Sequence, residues 1–318
     1  MTEFLMGNQA IGRAARDAGL GLIAGYPGTP STEVLEYAAK INDGSYHAQW
    51  SVNEKAALEV AAGASYCGMR TMVTCKQVGL NVAADPLMSL AYVGVRGGMV
   101  ILVADDPGPI SSQTEQDTRT FGMFSKVPVL DPCTVQQAYD MVFYAYELSE
   151  KYHTPVILRP TTRICHSCAD VTVKDSIIKK DGVSFEKDPE HLVIFPKLSY
   201  GNHKLIEQKL NVTMSDEFSE SPFNSFEKDS RRGIACSGVS AAYVKDILQS
   251  CENDLSLLTV GTPFPFPEKL AVKFLGSCDE VLVLEELDPV LERALTFICG
   301  KHHLNTVIHG KLDATTAN

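Results

Sequence analysis

No stretch of this sequence approaches the ~20 consecutive apolar residues that a membrane span requires, although 45% of its 318 residues are hydrophobic. The apolar residues fall instead in short runs, as in a chain that buries its core in two domains of ordinary size. The opening segment, Met1 to Gly12, carries an acid and several polar groups, so no export signal is expected. Basic residues are the scarcer charge: 28 Lys and Arg against 39 Asp and Glu leave a formal net charge of -11. A field of that sign repels nucleic acid and anionic lipid, which leaves small molecules and protein partners. Paired cysteines are also scarce. Nine cysteines, an odd number at open spacing, suit reduced thiols in the cytoplasm of an anaerobe better than a disulfide framework. The one CxxC, Cys165-His166-Ser167-Cys168, lacks the second pair that a structural zinc site needs, so both are read as ordinary thiols. His153, His302 and His303 have no Ser, Cys or Asp arrangement beside them that would define a nucleophile and its base.

What is present is alternation. Short β-rich runs at Leu20–Ala24, Thr71–Cys75, Met99–Ala104 and Val156–Leu158 are separated by helical spacing at Ser31–Ile41, Glu54–Cys67, Val82–Tyr92 and Val135–Glu150. That rhythm predicts an α/β fold, a mostly parallel sheet flanked by helices, over residues 1–172. Residues 173–230 are charged and polar, with a candidate helix at His203–Leu210 and a polar stretch at Ser215–Asp229, and read as an arm or linker. Alternation resumes over 231–318, with strands at Gly233–Cys236, Leu255–Val260, Glu280–Leu284 and Thr306–His309. Helices at Val239–Ser250, Pro267–Leu275 and Asp288–Cys299 complete a second, smaller Rossmann-like α/β domain.

Four segments carry chemistry. Gly25-Tyr26-Pro27-Gly28-Thr29-Pro30-Ser31 joins a strand to a helix, with Thr29 a candidate N-cap and Pro30 suited to the first helical position. Such a turn lies where α/β sheets bind ligands, yet an ordinary capped helix has the same local sequence. In Asn53–Ser65, a 100° wheel puts Lys55, Glu59 and Tyr66 on a polar face and Glu54 beside Leu58, Ala61 and Ser65. Burial there opposes ionisation of Glu54 while the helix N-terminus favours it, which suits a group sharing a proton with a ligand; simple complementation of the helix dipole is the alternative. Cys75–Pro86 again joins strand to helix, through a Gly79-containing loop that brings Gln77, Val78, Gly79 and Asn81 toward the same edge. Asp105-Asp106-Pro107-Gly108 offers paired aspartates for Mg²⁺, but Asp-Pro-Gly is ordinary turn chemistry and turn formation is the favoured reading.

Taken in order and spacing, Gly25–Ser31, Ser51–Ser65, Lys76–Pro86, Val103–Pro107, Ser111–Arg119 and Thr161–Arg163 resemble the pyrimidine-binding domain of the indolepyruvate:ferredoxin oxidoreductase alpha subunit. That family lies within the thiamine-diphosphate-dependent 2-oxoacid:ferredoxin oxidoreductases. Ser237-Gly238-Val239-Ser240 and Glu285-Glu286-Leu287-Asp288-Pro289 extend the resemblance into a second domain similar to the transketolase C-terminal-like domain. The resemblance implies that Glu54 hydrogen-bonds N1′ of the thiamine pyrimidine, that Tyr26, Pro27, Gly28, Gln77, Val78, Gly79 and Asn81 contact the cofactor, and that Thr29 faces the 2-oxoacid. It implies oxidative decarboxylation of an aryl 2-oxoacid to acyl-CoA with reduction of ferredoxin, in an oligomer with a beta-type subunit. Pyruvate or 2-oxoglutarate as substrate, or a non-catalytic assembly or regulatory module, are the alternatives. Neither the Gly-Asp-Gly and Asn pattern that binds Mg²⁺-diphosphate nor a CxxCxxCxxxCP cluster run is present. Mg²⁺ and iron-sulfur clusters are therefore expected on diphosphate-binding and ferredoxin-like domains elsewhere, and the chain is expected to be a truncated piece or a split-gene product, inactive alone.

Overall fold

The computed structural model describes residues 1–317, apart from 176–177, 179–182, 229, 251 and 253. The strands of the first region are β1 (Thr2–Met6), β2 (Leu20–Gly25), β3 (His47–Trp50), β4 (Arg70–Lys76), β5 (Met99–Ala104), β6 (Val129–Leu130), β7 (Val156–Leu158) and β8 (Cys168–Thr172). Six form one parallel sheet in the order β3-β2-β4-β5-β7-β6, while β1 and β8 pair antiparallel as a separate ribbon. The strands β9 (Asn224–Glu227), β10 (Arg232–Ser237), β11 (Ser256–Val260), β12 (Glu280–Leu284) and β13 (Val307–His309) form a second sheet in the order β13-β12-β10-β11-β9. Its strands are parallel except β9, which runs antiparallel to β11.

A parallel sheet covered on both faces needs strands that are apolar throughout. Every residue of β5 is buried. Ile23, Met72, Val100 and Leu102 point to one face, against the helices Gly7–Asp17, Thr32–Lys40 and Val135–Tyr152. Ala24, Val73, Ile101 and Val103 point to the other, against Glu54–Tyr66 and Ala84–Val93. Alanine at 57, 61 and 62 is buried and lets Glu54–Tyr66 lie close to the sheet. Tyr66, placed on the polar face by the helical wheel, packs instead against this second cluster.

Two expectations are corrected. The helix in the charged segment is not confined to His203–Leu210. It runs from Pro196 to Gln208 and continues through a wide π turn, Lys209–Met214, into Ser215–Ser219. Ile206, Leu210 and Met214 give it an apolar side that packs on Tyr92, Tyr152 and Phe264. The second sheet also begins earlier than Gly233, because Asn224–Glu227, within the stretch read as polar arm, pairs with β11. Asp229, at the end of that stretch, lies outside the described residues. No described helix is long and apolar enough to cross a membrane.

Candidate functional site

Parallel strands end together, and the connections leaving those ends present backbone groups to a ligand. The segments after β2, β3, β4 and β5 meet at that edge of the first sheet. Glu54 opens its helix behind the N-cap Asn53, whose side chain accepts the Ala56 N–H at 2.9 Å. Glu54 is 9% exposed, above buried Ala57, Leu58 and Ala61. Lys55, by contrast, pairs at the surface with Asp85 at 2.8 Å. Among the described residues nothing donates a hydrogen bond to the Glu54 carboxylate or pairs with it. A largely buried carboxylate that no described protein group engages is free to accept a donor from a ligand.

Gly79 explains how close the elements come. A Cβ there would stand 2.3 Å from Glu54 Oε1. The loop expected at Gln77–Asn81 is in fact a helical turn, Gln77–Val82, starting directly from β4. Its glycine serves close approach to Glu54 rather than a left-handed backbone. Gln77 is 2% exposed; its Nε2 donates to Thr114 O at 3.3 Å and its Oε1 is buried without a partner. Asn81, exposed, donates to Gln116 Oε1 at 3.0 Å, and Val78 is half-buried.

On the neighbouring strand, Tyr26, Pro27 and Thr29 are exposed and Gly28 is half-buried. Gly28 lies under the Lys76 stem: a Cβ on it would meet Lys76 Cγ at 3.2 Å. Thr29 is not the N-cap. Residues Gly28–Ser31 close a turn of their own, with the Ser31 N–H donating to Gly28 O at 2.9 Å, so the helix starts at Thr32. Thr32 Oγ1 accepts the Gly28 N–H at 2.9 Å, and Asn8 Nδ2 donates to Pro30 O at 2.7 Å. The Thr29 hydroxyl is left free of helix capping, and Ser111 Oγ donates to the Thr29 carbonyl at 3.3 Å. The Thr29–Pro30 peptide is cis.

For Asp105 and Asp106 the turn reading prevails over Mg²⁺. Asp106 Oδ2 accepts the N–H groups of Ile110, Ser111 and Ser112 at 3.1, 2.8 and 2.9 Å. Asp105 is occupied by Arg159 Nε at 2.6 Å and the Thr118 N–H at 3.0 Å. Among the described residues no group of three or more His, Cys, Asp or Glu side chains is placed to hold a metal. Cys165 is buried, its thiol pushed up by that burial, and Cys168 is exposed.

A second cluster, unforeseen in the sequence, joins the two sheets. Arg119, fully buried, donates to Asp117 Oδ2 at 2.6 Å, Glu285 Oε2 at 2.8 Å, Ser237 Oγ at 3.2 Å and the carbonyls of Glu286 and Asp288 at 2.6 and 3.0 Å. Glu285 also accepts the N–H groups of Val290, Leu291 and Glu292 at 3.1, 2.9 and 3.1 Å. Burial alone would raise Asp117, but Arg119 and Arg159 hold it below the usual carboxylate range. Beside this cluster a cleft of about 740 Å³ opens between the sheets, lined by Gln116, Arg163, Ser240, Glu286 and Lys311 among others. The loop that contacts Gln77 and Asn81 thus has its other side on the cleft.

A parallel sheet whose strand ends gather a carboxylate unpaired among the described residues, an exposed threonine and close-approach glycines has the architecture of the α/β proteins that bind ligands at that edge. Residues 13–231 match the family described as pyruvate flavodoxin/ferredoxin oxidoreductase, thiamine diP-bdg, and the chain belongs to that thiamine-diphosphate-binding family. It is 43% identical to the indolepyruvate oxidoreductase subunit IorA of Pyrococcus abyssi, over 96% of this chain and 49% of that protein. It is also 43% identical to IorA of Methanothermobacter thermautotrophicus, over 98% and 51%. The chain therefore spans about half the length of these relatives. The 2-oxoglutarate synthase subunit KorA of Methanocaldococcus jannaschii is 30% identical over 55% of this chain and 50% of its own. In fold, the chain is similar to the 2-oxoglutarate:ferredoxin oxidoreductase of Magnetococcus marinus, with a TM-score of 0.76 at 19% identity, covering 97% of this chain and 62% of that one. A split-gene transketolase has a TM-score of 0.62 at 15% identity, covering 96% and 89%.

Proposed function

We propose that this chain supplies the aminopyrimidine-binding half of a thiamine-diphosphate-dependent aryl 2-oxoacid (indolepyruvate):ferredoxin oxidoreductase. The observation that carries the reading is Glu54, a buried carboxylate seated against Gly79 with no protein partner among the described residues. When bound, thiamine diphosphate supplies the carbon nucleophile and electron sink for decarboxylating a 2-oxoacid. Glu54 would hold a proton at the pyrimidine N1′, with Gln77, whose buried Oε1 also lacks a partner, beside it. Tyr26, Pro27, Gly28, Val78, Gly79 and Asn81 would form the rest of the cofactor-side wall, and Thr29 would meet the substrate. The domains carrying the diphosphate site, Mg²⁺ and iron-sulfur clusters, a beta-type subunit, ferredoxin and coenzyme A complete the reaction in this reading. Indolepyruvate is favoured over 2-oxoglutarate because the match to IorA is longer and stronger than that to KorA. We further propose that the two sheets mark separate domains, the first over residues 1–172 and the second over 231–318 extended back to include Asn224–Glu227, with the rest of 173–230 connecting them.

Two measurements test this. In the assembled enzyme, Glu54→Gln keeps the shape but loses proton exchange, and turnover should fall by roughly 100-fold or more. Calorimetry should show weak thiamine diphosphate binding by residues 1–318 and tight binding once the diphosphate-binding domain is added. Tight binding by this chain alone, or near-normal turnover of Glu54→Gln, would overturn the half-site reading.

A further inference from the structure

Among the described residues, Glu54 and Lys76 at the site edge lack a protein partner, and only Glu54 is used above. Lys76 is the last residue of β4, half-buried, with no hydrogen bond or ion pair among the described residues. The carboxylates that follow its ladder partner Ala104 are committed elsewhere: Asp105 to Arg159 at 2.6 Å, and Asp106 to the loop N–H groups. It does not pair with Glu54 either. Alternation along β4 sends Cys75 to the face covered by the Glu54 helix and Lys76 to the opposite face, under the Gly28 turn.

The stem of Lys76 is held in place. A Cβ on Gly28 would stand 3.2 Å from Lys76 Cγ, 3.3 Å from Cδ and 3.6 Å from Cε, so the glycine lets the turn settle along the methylenes. A lysine laid down in this way has lost part of its rotamer freedom before any ligand arrives. Thr29, the next residue, presents an exposed side chain. A lysine with no protein partner among the described residues, its stem held along a turn that presents an exposed threonine, can receive an anion with two acceptor oxygens.

We propose that Lys76, with Thr29, binds the carboxylate of the 2-oxoacid substrate. The inference rests on the functional reading above, in which Glu54 fixes the pyrimidine on the other face of β4. With the cofactor's ring held there and its diphosphate on the complementary domain, the anion left for Lys76 is the substrate carboxylate. Lys76 is then a specificity-determining residue for 2-oxoacids.

The test uses the assembled enzyme and three forms of this chain: wild type, Lys76→Met and Lys76→Arg. Probes are an arylpyruvate, an arylacetate as competitive carboxylate inhibitor, and the matching neutral arylacetamide. Losing a hydrogen-bonded charge pair should raise the KM for the arylpyruvate and the Ki of the arylacetate about 10- to 100-fold in Lys76→Met. The arylacetamide Ki and the thiamine diphosphate Kd should stay unchanged, and Lys76→Arg should recover most of the carboxylate affinity. Equal weakening of arylacetate and arylacetamide would mean that Lys76 only supports the fold of the turn. A matching loss of thiamine diphosphate affinity would assign the ammonium to the diphosphate. Either result overturns the proposal. Failure of the underlying reading looks different, because the wild-type assembly itself would then bind no thiamine diphosphate; the proposal falls with it.

Discussion

Charge held wholly or partly away from solvent is handled in two opposite ways in this molecule. Around Arg119 the central charges answer one another within the protein: the guanidinium reaches Asp117 and Glu285 as well as two carbonyls, and Glu285 caps the helix that follows it. At the edge of the first sheet, earlier in the chain, Glu54 and Lys76 are left unanswered among the described residues. The first arrangement holds two sheets together, and its members need nothing from outside. The second leaves two charged groups available to a ligand. Motif residues of both kinds carried the same family resemblance, so likeness alone did not separate scaffold from site. Counting partners does.

The sharpest way to break this comparison is to remove the centre of the answered cluster. Arg119→Met leaves Asp117 and Glu285 buried without their cation, and loss of one partner from such a network costs about 3–5 kcal/mol. Urea unfolding should show that loss, whereas Glu54→Gln, which removes an unanswered charge, should leave stability unchanged or raised. If Arg119→Met unfolds like the wild type, the cluster is not what joins the sheets.

A smaller effect follows from Asp105, which belongs to the answered side through Arg159 and Thr118. Burial raises its carboxyl from 3.8 to about 6, against the pull of Arg159. A group whose folded pKa is raised contributes stability that is full below its unfolded value and fades as pH climbs through the folded one. Relative to the non-titrating Asp105→Asn, the wild type should therefore be more favoured near about pH 4.5 than near about pH 7.5, by about 1–3 kcal/mol. Denaturation curves of both proteins at the two pH values read the difference directly. An advantage that instead grows toward neutral pH would show that pairing with Arg159 outweighs burial.

The legibility of these regions differed for physical reasons. The central strand β5 is apolar on both faces, its neighbour β4 is buried from Arg70 to Cys75 around an apolar middle, and the sequence marks both almost to the residue. By contrast β3, an edge strand with the sequence His-Ala-Gln-Trp, is half exposed and shows no pattern, and β1 pairs only with distant β8. The helix Gly7–Asp17 was missed because small and polar residues, including Gly7, Asn8 and Gly12, fill its buried side. Glu54 was readable because helical phase alone puts it on the alanine side. Arg119 was not, since its partner Glu285 lies 166 residues away. Lys76 carried one available signal, its position as the last residue of a central parallel strand opposite the glycine-containing turn.

The finest separation of scaffold from site is a single methyl group. Gly79 sits within the helical turn Gln77–Val82, where alanine is favoured over glycine by up to about 1 kcal/mol. The nearest atoms a Cβ would meet belong to the Glu54 side chain, at 2.3 Å from Oε1 and 2.8 Å from Cδ. That is the free end of a flexible side chain, so Gly79→Ala displaces the carboxylate rather than any backbone. The propensity gain and the crowding cost nearly offset, and stability should change by less than about 1 kcal/mol, a shift of a few degrees at most in the thermal midpoint. Catalysis should respond quite differently. A reacting group pushed aside by an ångström or so loses on the order of 100-fold in rate, and the assembled Gly79→Ala enzyme should show a loss of about 10- to 100-fold in turnover. Scanning calorimetry and a turnover assay on the same preparation give both numbers. A lowered midpoint with normal turnover would make Gly79 a packing glycine and would move Glu54 from the reacting groups to the scaffold.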